Sequence, residues 1–397
     1  MRDWVRANKI HLYLVGGAIR DSFLGYPVTD LDFTYDGDAI DLARKLVSYI
    51  GGQVVVHPRF GTATISLGDV RLDLASCRTE TYPSPGKLPL VSQGAIREEL
   101  LRRDFTVNAL AIPLWEDHPE MLDLSNGIAD LRDRKIRVLH KNSFIDDPTR
   151  LFRAVKYEQR FDFQIDVDTM ELMTQSLTVG SISELSGDRI RHELDRIFEE
   201  SVPAHALGRL SHVGILDAVL PGLIYQQMNN VDVSLPSFND AEQTNQLEYL
   251  VSISLSLSPE KKEAFIQRLN MPKDWIKVIS DVTAIQAAEY ELTTSDIKSS
   301  RIYSLLEGVS AIAIIGVMKF SDSTDLIRVL SDYLTRLKTV TISVSGSDVI
   351  ARGLHPGPNV GLILRELLLY KLDGAIVTLE DELEMLNTIL VQQTTGQ

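Results

Sequence analysis

The sequence predicts an α+β fold, in which a region of alternating strands and helices precedes a long helical region. Short apolar runs that end in glycines occupy the chain up to residue 75, and helical patterns dominate from residue 147 onward. The length of 397 residues exceeds one compact core and indicates two or more domains. With 44% apolar and 24% charged residues, the composition is that of a folded globular protein.

The N-terminal elements follow from short local patterns. An apolar run over 10–15 ends at Gly16 and Gly17, which predicts a strand and a turn, and a helix over 18–24 ends before Gly25. A second helix is predicted over 41–50. The predicted strands span 10–15, 31–35, 53–56, 63–67 and 70–75. The prolines of segment 78–91 predict a loop there.

The C-terminal region is predicted to be helical, with prolines between the helices. The clearest helical patterns span 148–160, 168–177, 187–200, 203–211 and 362–372. The Asn- and Gln-rich segment 226–246 is predicted to be a surface loop.

Charge and cysteine content narrow the functional classes. The net charge of −15 argues, taken alone, against a nucleic-acid partner, although the stretch 130–160 is locally basic. The single cysteine, Cys77, excludes an intrachain disulfide and indicates a reducing, cytoplasmic setting. No apolar run approaches the roughly 20 residues that a membrane span needs, so we expect no membrane partner.

Two neighbouring motifs indicate phosphate chemistry. Gly16 and Gly17 lie between a strand and a helix, where backbone N–H groups, the helix dipole and Arg20 could hold an anion. An ordinary turn is an equally good reading of these glycines alone. Asp30 and Asp32 lie on one face of the next strand, where two carboxylates repel each other unless a cation sits between them. Together the motifs indicate Mg²⁺-dependent phosphoryl or nucleotidyl transfer, and the alternative is an exposed acidic strand face.

A third carboxylate, Asp73, lies between Leu72 and Leu74 on a later predicted strand. It could complete a metal site or take the proton from an attacking hydroxyl. A strand acid that is bound to a neighbouring segment is the equally good alternative.

These motifs resemble the nucleotidyltransferase signature of the polymerase-β superfamily, and more narrowly the class II tRNA nucleotidyltransferases and bacterial poly(A) polymerases. Four further blocks match in order: 102–109 (RRDFTVNA), 123–131 (DLSNGIADL), 146–155 (DDPTRLFRAV) and 186–194 (SGDRIRHEL). The segment 345–374 resembles the family's tail more weakly. The resemblance implies a catalytic head over 1–137 with a mixed or antiparallel sheet, a helical neck over 138–205, a body over 206–275 and a tRNA-binding tail over 276–397.

The resemblance also implies roles for individual residues. Asp30 and Asp32 would hold Mg²⁺, with Asp73 as a further catalytic candidate. The implied nucleotide-binding residues are Gly16, Gly17, Arg20, Asp21, Arg103, Asp104, Asn108, Asp147, Arg150, Arg153 and Lys156. Lys156 stands where many relatives have arginine, so it keeps the charge but loses the forked donor.

Within this set, Asp147, Arg150 and Arg153 would contact the base. Asp147 fits a helix N-cap before Pro148, and the two arginines share one helix face. A carboxylate acceptor beside an arginine donor complements the amino group and ring nitrogen of cytosine or adenine. Without the resemblance, helix capping and a solvated helix face would be the better readings.

The activity implied is template-independent addition of CCA to the tRNA 3′ end from CTP and ATP, with release of pyrophosphate. A-adding enzymes are the main alternative. CC-adding enzymes fit less well because segment 78–91 is retained, and poly(A) polymerases fit less well because the tail is acidic. A catalytically silent RNA-binding protein and a small-molecule nucleotidyltransferase are the alternatives from other classes. We expect no obligatory protein partner.

Overall fold

The computed structural model describes residues 1–28, 30–58, 61–227 and 241–395, and divides into two compact units, Met1–Pro221 and Gly222–Gln397. The first unit combines sheets with helices, and the second is helical in its described part. The predicted α+β class is therefore confirmed. The finer division into neck, body and tail stays a prediction.

A seven-stranded mixed sheet forms the centre of the N-terminal region. In spatial order its strands are β3 (Gln53–His57), β4 (Thr62–Leu67), β5 (Val70–Ser76), β2 (Asp30–Tyr35), β1 (Leu12–Val15), β8 (Leu110–Pro113) and β9 (Leu122–Asp123). Strands β2 and β5 run parallel, and the other neighbouring pairs are antiparallel. The five predicted strands are confirmed to within one or two residues, whereas β8 and β9 were not predicted.

Side-chain alternation gives this sheet one apolar and one polar face. Phe33, Leu72 and Leu74 are buried in a core that includes Leu42 and Leu46 of helix α3. The intervening residues of β2 and β5 point to the opposite face. The helices of this region are α1 (Arg2–Ala7), α2 (Gly17–Leu24), α3 (Ala39–Ile50), α4 (Ile96–Leu101) and α5 (Gly127–Arg132).

The prediction of a loop over 78–91 was wrong at both ends of the segment, where the chain forms strands. Strands β6 (Arg78–Thr81) and β7 (Leu90–Gln93) pair as an antiparallel hairpin. The prolines that predicted a loop all lie between the two strands, because proline has no N–H to donate to a ladder. The loop itself spans 82–89.

The rest of the first unit is mostly helical. Its elements are β10 (Lys135–Ile136), α6 (Ser143–Asp146), α7 (Thr149–Phe161), β11 (Gln164–Ile165), α8 (Val167–Thr178), α9 (Gly187–Phe198), α10 (Pro203–His212) and α11 (Ile215–Val219). The predicted helices from 148 to 211 are confirmed to within two residues. Helices α7 and α9 pack against each other, and both contribute to the candidate site.

The described part of the second unit contains α12 (Ala241–Ser254), α13 (Pro259–Leu269), α14 (Lys273–Leu292), α15 (Ser299–Leu306), α16 (Ala311–Phe320), α17 (Thr324–Thr335), α18 (Gly346–Ala351), α19 (Pro358–Leu372) and α20 (Leu379–Thr395). The predicted loop 226–246 lies partly outside the described residues, at 228–240, and is wrong for 241–246, because Gln and Glu are also good helix formers. No single helix among the described residues is long and apolar enough to cross a membrane.

Candidate active site

A cleft of about 670 Å³ in the first unit brings together most of the predicted site residues. Those on its lining are Gly17, Arg20, Asp21, Asp30, Asp32, Arg103, Asp104, Asn108, Asp147, Arg150 and Arg153. Gly16, Asp73 and Lys156 do not line it. Arginine is the most frequent residue type on the lining, so the cleft concentrates positive charge in a chain whose total is negative.

Asp30 and Asp32 lie on the polar face of β2 and are exposed. Within the described residues, neither carboxylate takes part in a hydrogen bond or ion pair. Partial removal from water raises the pKa of Asp32, the neighbouring carboxylates of Asp73 and Asp30 raise it further, and Arg103 opposes the shift. A cation at this position would relieve that repulsion.

Asp73 lies directly opposite Asp32 in the parallel pairing of β2 with β5. It accepts a hydrogen bond from Thr64 Oγ1 at 2.5 Å, and its other oxygen lies 3.0 Å from Arg71 Nε. Asp73 faces a second cavity of about 420 Å³ that shares Asp32 and Arg103 with the main cleft. These contacts match the strand-acid alternative, and a catalytic role for Asp73 stays a prediction.

The donor set fits a divalent ion of the magnesium type. Among the described residues, no group of three or more His, Cys, Asp or Glu side chains converges on one point. Mg²⁺ is usually held by one or two carboxylates together with waters and substrate phosphates. Asp30 and Asp32 could supply the two carboxylates, and the arginine-rich cleft has room for the phosphates.

Gly16 leaves space for a neighbouring arginine, and its predicted contact with phosphate stays a prediction. Its φ is +69°, and a Cβ there would lie 2.3 Å from Nη1 of Arg103. The missing side chain therefore makes room for the Arg103 guanidinium. Gly17, the first residue of α2, does line the cleft. Arg103 Nε is buried without a hydrogen-bond partner in the described structure.

Hydrogen bonds and two aromatic rings hold the Arg20 side chain in place. Its Nε donates to Asp21 Oδ1 at 2.8 Å, and its Nη1 donates to Asn108 Oδ1 at 2.6 Å. The guanidinium carbon lies 5.1 Å from the ring centre of Tyr157 and 4.6 Å from that of Phe161. Arg20 therefore joins the predicted head to α7 while it lines the cleft.

Asp104 and Arg153 form a second connection to α7. Arg153 donates to Asp104 Oδ2 from Nε at 2.9 Å and from Nη2 at 2.5 Å, and Asn108 Nδ2 donates to Oδ1 at 2.9 Å. Burial opposes ionisation of Asp104, but Arg153 and the Asn108 amide outweigh it and hold its pKa well below the usual range.

Asp147 pairs with Arg189 of α9, which was not among the predicted site residues, and the predicted base contacts of Asp147, Arg150 and Arg153 stay predictions. Arg189 Nη2 donates to Asp147 Oδ1 at 2.6 Å, and the Thr149 N–H donates to the same oxygen at 3.1 Å. Arg150 is buried and donates instead to Ser143 Oγ and the Arg102 carbonyl. Asp147 therefore accepts from the first N–H of α7 and pairs with an arginine distant in sequence, but the N-cap of α7 is Pro148 and not, as predicted, Asp147.

Lys156 lies inside the protein and not on the cleft. Its side chain is buried, with the ammonium 5.3 Å from the ring centre of Tyr157. Burial lowers the pKa of Lys156 to about 8, and the nearby Arg153 adds to the shift. Its predicted contact with nucleotide therefore has no support from its position.

Several cleft residues were not among the predicted site residues: Arg78, Glu80, Tyr82, Leu88, Arg102, Tyr157, Arg160, Arg189, Glu193 and Arg196. Arg189, Glu193 and Arg196 are spaced i, i+4 and i+7 on α9, so one helix face supplies all three. This periodic polar face begins inside the block 186–194, and it is the sequence pattern that could have identified these residues.

Two family models match separate ranges of the chain. The family model described as "Poly A polymerase head domain" matches residues 12–137, and that described as "Probable RNA and SrmB-binding site of polymerase A" matches residues 162–226. An A-adding tRNA nucleotidyltransferase of Geobacter sulfurreducens is 32% identical over 95% of this chain, which spans 45% of that relative's length.

Two further similarities extend over nearly the full length of both proteins. An A-adding tRNA nucleotidyltransferase of Halalkalibacterium halodurans is 30% identical over 95% of this chain and 88% of its own length. The solved structure of the Thermotoga maritima CCA-adding enzyme complexed with tRNA has a TM-score of 0.76 at 28% identity, over 98% of this chain and 93% of its own.

Proposed function

Because the chain belongs to the family of tRNA nucleotidyltransferases that share the poly(A) polymerase head domain, we propose that it transfers a nucleotidyl group from a nucleoside triphosphate to the 3′-hydroxyl of a tRNA. The observation that carries this proposal is the unpartnered pair Asp30 and Asp32 on the lining of an arginine-rich cleft. In the reaction, the hydroxyl oxygen bonds to the α-phosphorus, and the bond to the departing pyrophosphate breaks.

Nucleotidyltransferases of this superfamily generally use a divalent metal ion. We propose Mg²⁺, with Asp30 and Asp32 as the side chains that would hold it. When bound, the ion would neutralise charge on the triphosphate and stabilise the attacking and leaving oxygens. Asp73, opposite Asp32, is the candidate to accept the proton that the hydroxyl loses.

The arginines of the cleft would bind the triphosphate and the RNA backbone. Arg103 lines both cavities, and its buried Nε has no hydrogen-bond partner in the described structure, so we assign this guanidinium to the binding of a phosphate. Arg20 and Arg153 already donate to protein acceptors, so they hold neighbouring parts of the cleft lining in position. Asp147 and Arg189 supply the acceptor and donor that complement cytosine or adenine.

Two candidate forms of this activity both add the terminal AMP. The first is complete CCA addition from CTP and ATP, which the sequence predicts and which agrees with the likeness to a CCA-adding enzyme. The second is addition of A alone, which is favoured by the names of the two relatives at 32% and 30% identity. The single thiol, Cys77, is buried and fits a reaction in the cytoplasm.

The test uses three tRNA transcripts that end before CCA, after the first C, or after CC. Each is incubated with Mg²⁺ and with labelled CTP or ATP separately. Incorporation of C on the first two and of A on the third supports complete CCA addition, and A on the third alone supports the A-adding form. Absence of incorporation on all three would contradict the proposed activity.

A further inference from the structure

One buried carboxylate oxygen on the lining of the cleft has no hydrogen-bond donor. Among the buried side-chain atoms that the structure describes, three lack a hydrogen-bond partner: Arg103 Nε, Ser125 Oγ and Glu193 Oε2. Arg103 and Glu193 line the cleft, and Ser125 does not. Buried polar groups are nearly always paired, because an unpaired one forfeits its hydrogen bonds with water. The cleft therefore has one free donor and one free acceptor that a ligand could satisfy.

The known contacts of Glu193 do not account for its free oxygen. The residue is 5% exposed, and its Oε1 accepts from Arg196 Nη1 at 3.0 Å. Its negative charge also acts on Arg153 and Lys156, so it offsets the charge of two neighbouring cations, but neither of them donates to Oε2. The last torsion of a glutamate side chain has a broad energy minimum, so the carboxylate can turn its free oxygen toward the cleft.

The first turn of α9 forms the end of the cleft where the edge of the base is proposed to bind. Arg189 Nη2 donates to Asp147 Oδ1, and Nη1 donates to the Gly86 carbonyl, in the loop of the hairpin, at 2.7 Å. These two bonds hold the guanidinium in place. Glu193 follows Arg189 by four residues, so it lies about 6 Å farther along the same face of α9.

The opposite end of the cleft is rich in arginine. Helices α7 and α9 lie side by side and run in the same direction, because the contact of Asp147 with Arg189 lies where both begin and Arg160 Nε donates to Glu200 Oε2, at 2.8 Å, where both end. Arg160 lines the cleft, and so does Arg20, which packs on the ring of the last residue of α7. Position 193 is therefore between the two ends.

We propose that Glu193 accepts a hydrogen bond from a ribose hydroxyl of the incoming nucleotide. This inference rests on the proposed nucleotidyl transfer. The ribose of a nucleoside triphosphate lies between the base and the phosphates, as Glu193 lies between the pair Asp147 and Arg189 and the arginines at the other end. A hydroxyl supplies the donor that Oε2 lacks, and a carboxylate is a strong acceptor.

The carboxylate of Asp104, on the same lining, is already occupied. Its Oδ1 accepts from the Phe105 N–H and from Asn108 Nδ2, and its Oδ2 accepts from Arg153. Glu193 is thus the acceptor with a free oxygen in this part of the described lining, and it becomes a specificity-determining residue. It favours ribonucleotides over nucleotides that lack the bound hydroxyl.

The test measures dissociation constants by titration calorimetry, with Mg²⁺ and without RNA, for α,β-methylene ATP and for its 2′-deoxy and 3′-deoxy forms. The parent should bind one deoxy form about tenfold more weakly than the ribonucleotide, and that form identifies the hydroxyl. Glu193→Gln, which offers a neutral acceptor, should reduce this ratio to about threefold, and Glu193→Met should abolish it. Glu199→Gln, at an exposed residue outside the cleft lining, is the matched control and should keep the ratio of the parent.

Each ratio compares two ligands on one protein, so a general weakening of the site by a substitution cancels. Glu193→Gln keeps the volume of the side chain, so the result does not depend on whether Glu193→Met folds. Equal binding of all three ligands by the parent, no binding of any of them, or an unchanged ratio in Glu193→Gln would overturn the inference.

A fourth ligand, the analogue with purine in place of adenine, lacks the amino group of the base. If the Glu193 variants lost the preference for the amino group and kept the preference for the hydroxyl, Oε2 would bind the base and the inference would be wrong. Calorimetry needs no RNA and no turnover. A parent protein that bound these ligands but incorporated nothing into tRNA would therefore contradict the proposed function, and the result for Glu193 would still stand.

Discussion

Two pairs of carboxylates line the same cleft but are held in opposite ways. Asp30 and Asp32 on β2 have no hydrogen-bond or ion-pair partner in the described structure, and the pKa of Asp32 is raised. Asp104 and Asp147 each bind an arginine from a helix that follows the predicted head. The difference indicates that the first pair is available to a cation, whereas the second pair connects elements of the protein.

The sharpest test of the unpartnered pair is removal of its charge. Asp32→Asn should lower nucleotide incorporation by about 10³-fold or more, because the site would lose a metal-binding carboxylate. Thermal unfolding should hardly change, because no hydrogen bond of the folded chain is lost. Asp69→Asn, at an exposed turn, is the control and should keep full activity. An active Asp32→Asn protein would contradict the metal assignment.

Substitution in the partnered pair, Asp104 and Asp147, should instead lower the stability of the fold. Asp104→Asn leaves the half-buried Arg153 guanidinium without its counter-ion inside the protein, and we expect a loss of about 3 kcal/mol in the free energy of unfolding. Urea unfolding measures this loss, with Asp41→Asn, which removes the exposed pair with Lys45, as a control below about 1 kcal/mol. A stability loss no larger than that of the control would show that the Asp104–Arg153 pair does not hold the two elements together.

The low pKa of Asp104 predicts how the stabilising effect of this residue changes with pH. Its folded pKa lies below the unfolded value of about 3.9, so its stabilising effect is complete above that value and is lost as the pH falls through the folded pKa. The difference in stability between parent and Asp104→Asn should therefore shrink below about pH 4.

The pair Asp147 and Arg189 should show a smaller, pairwise effect because it is partly exposed. A double-mutant cycle with Asp147→Ala and Arg189→Ala should give a coupling energy of about 2 kcal/mol in urea unfolding. Additive losses would mean that the two side chains act independently. The same variants in the tRNA assay should misincorporate UMP or GMP more often than the parent, since the base edge loses its partners.

The smallest effect on stability is expected at Lys156, which is a buried cation. Its folded pKa of about 8 lies below the unfolded value of about 10.4, so the folded state releases the proton first and the parent gains stability as the pH rises through this window. Relative to Lys156→Met, we expect the parent to gain about 1 kcal/mol between pH 7 and pH 9. Parallel stability curves would contradict the low pKa.

The strands and most helices were predictable because their patterns are local. Asp30 and Asp32 were found for the same reason, since strand geometry places residues i and i+2 on one face. The hairpin β6–β7 was missed because prolines in its loop obscured the short strands on either side. Strand β8 joins the sheet by pairing with the distant β1, which no local pattern reveals, and the two-residue β9 pairs in turn with β8.

The sequence predicted which residues line the site more accurately than it predicted which of these residues contact each other. Arg150 and Asp147 are three residues apart, yet Arg150 turns inward to Ser143 and Asp147 finds its arginine 42 residues away. The local sequence of Gly16 predicted a phosphate contact but not that a Cβ there would collide with Arg103. These outcomes depend on which segments pack together, and that information is tertiary.

The bond between Arg189 and the Gly86 carbonyl joins residues 103 positions apart. A ribosome that adds about 5–20 residues per second takes roughly 5–20 s to travel between them. During that interval the hairpin has been synthesised, but the guanidinium that holds its tip does not yet exist. The end of the cleft beside Asp147 is therefore completed late in synthesis, after the strand that carries Asp30 and Asp32 has long left the ribosome.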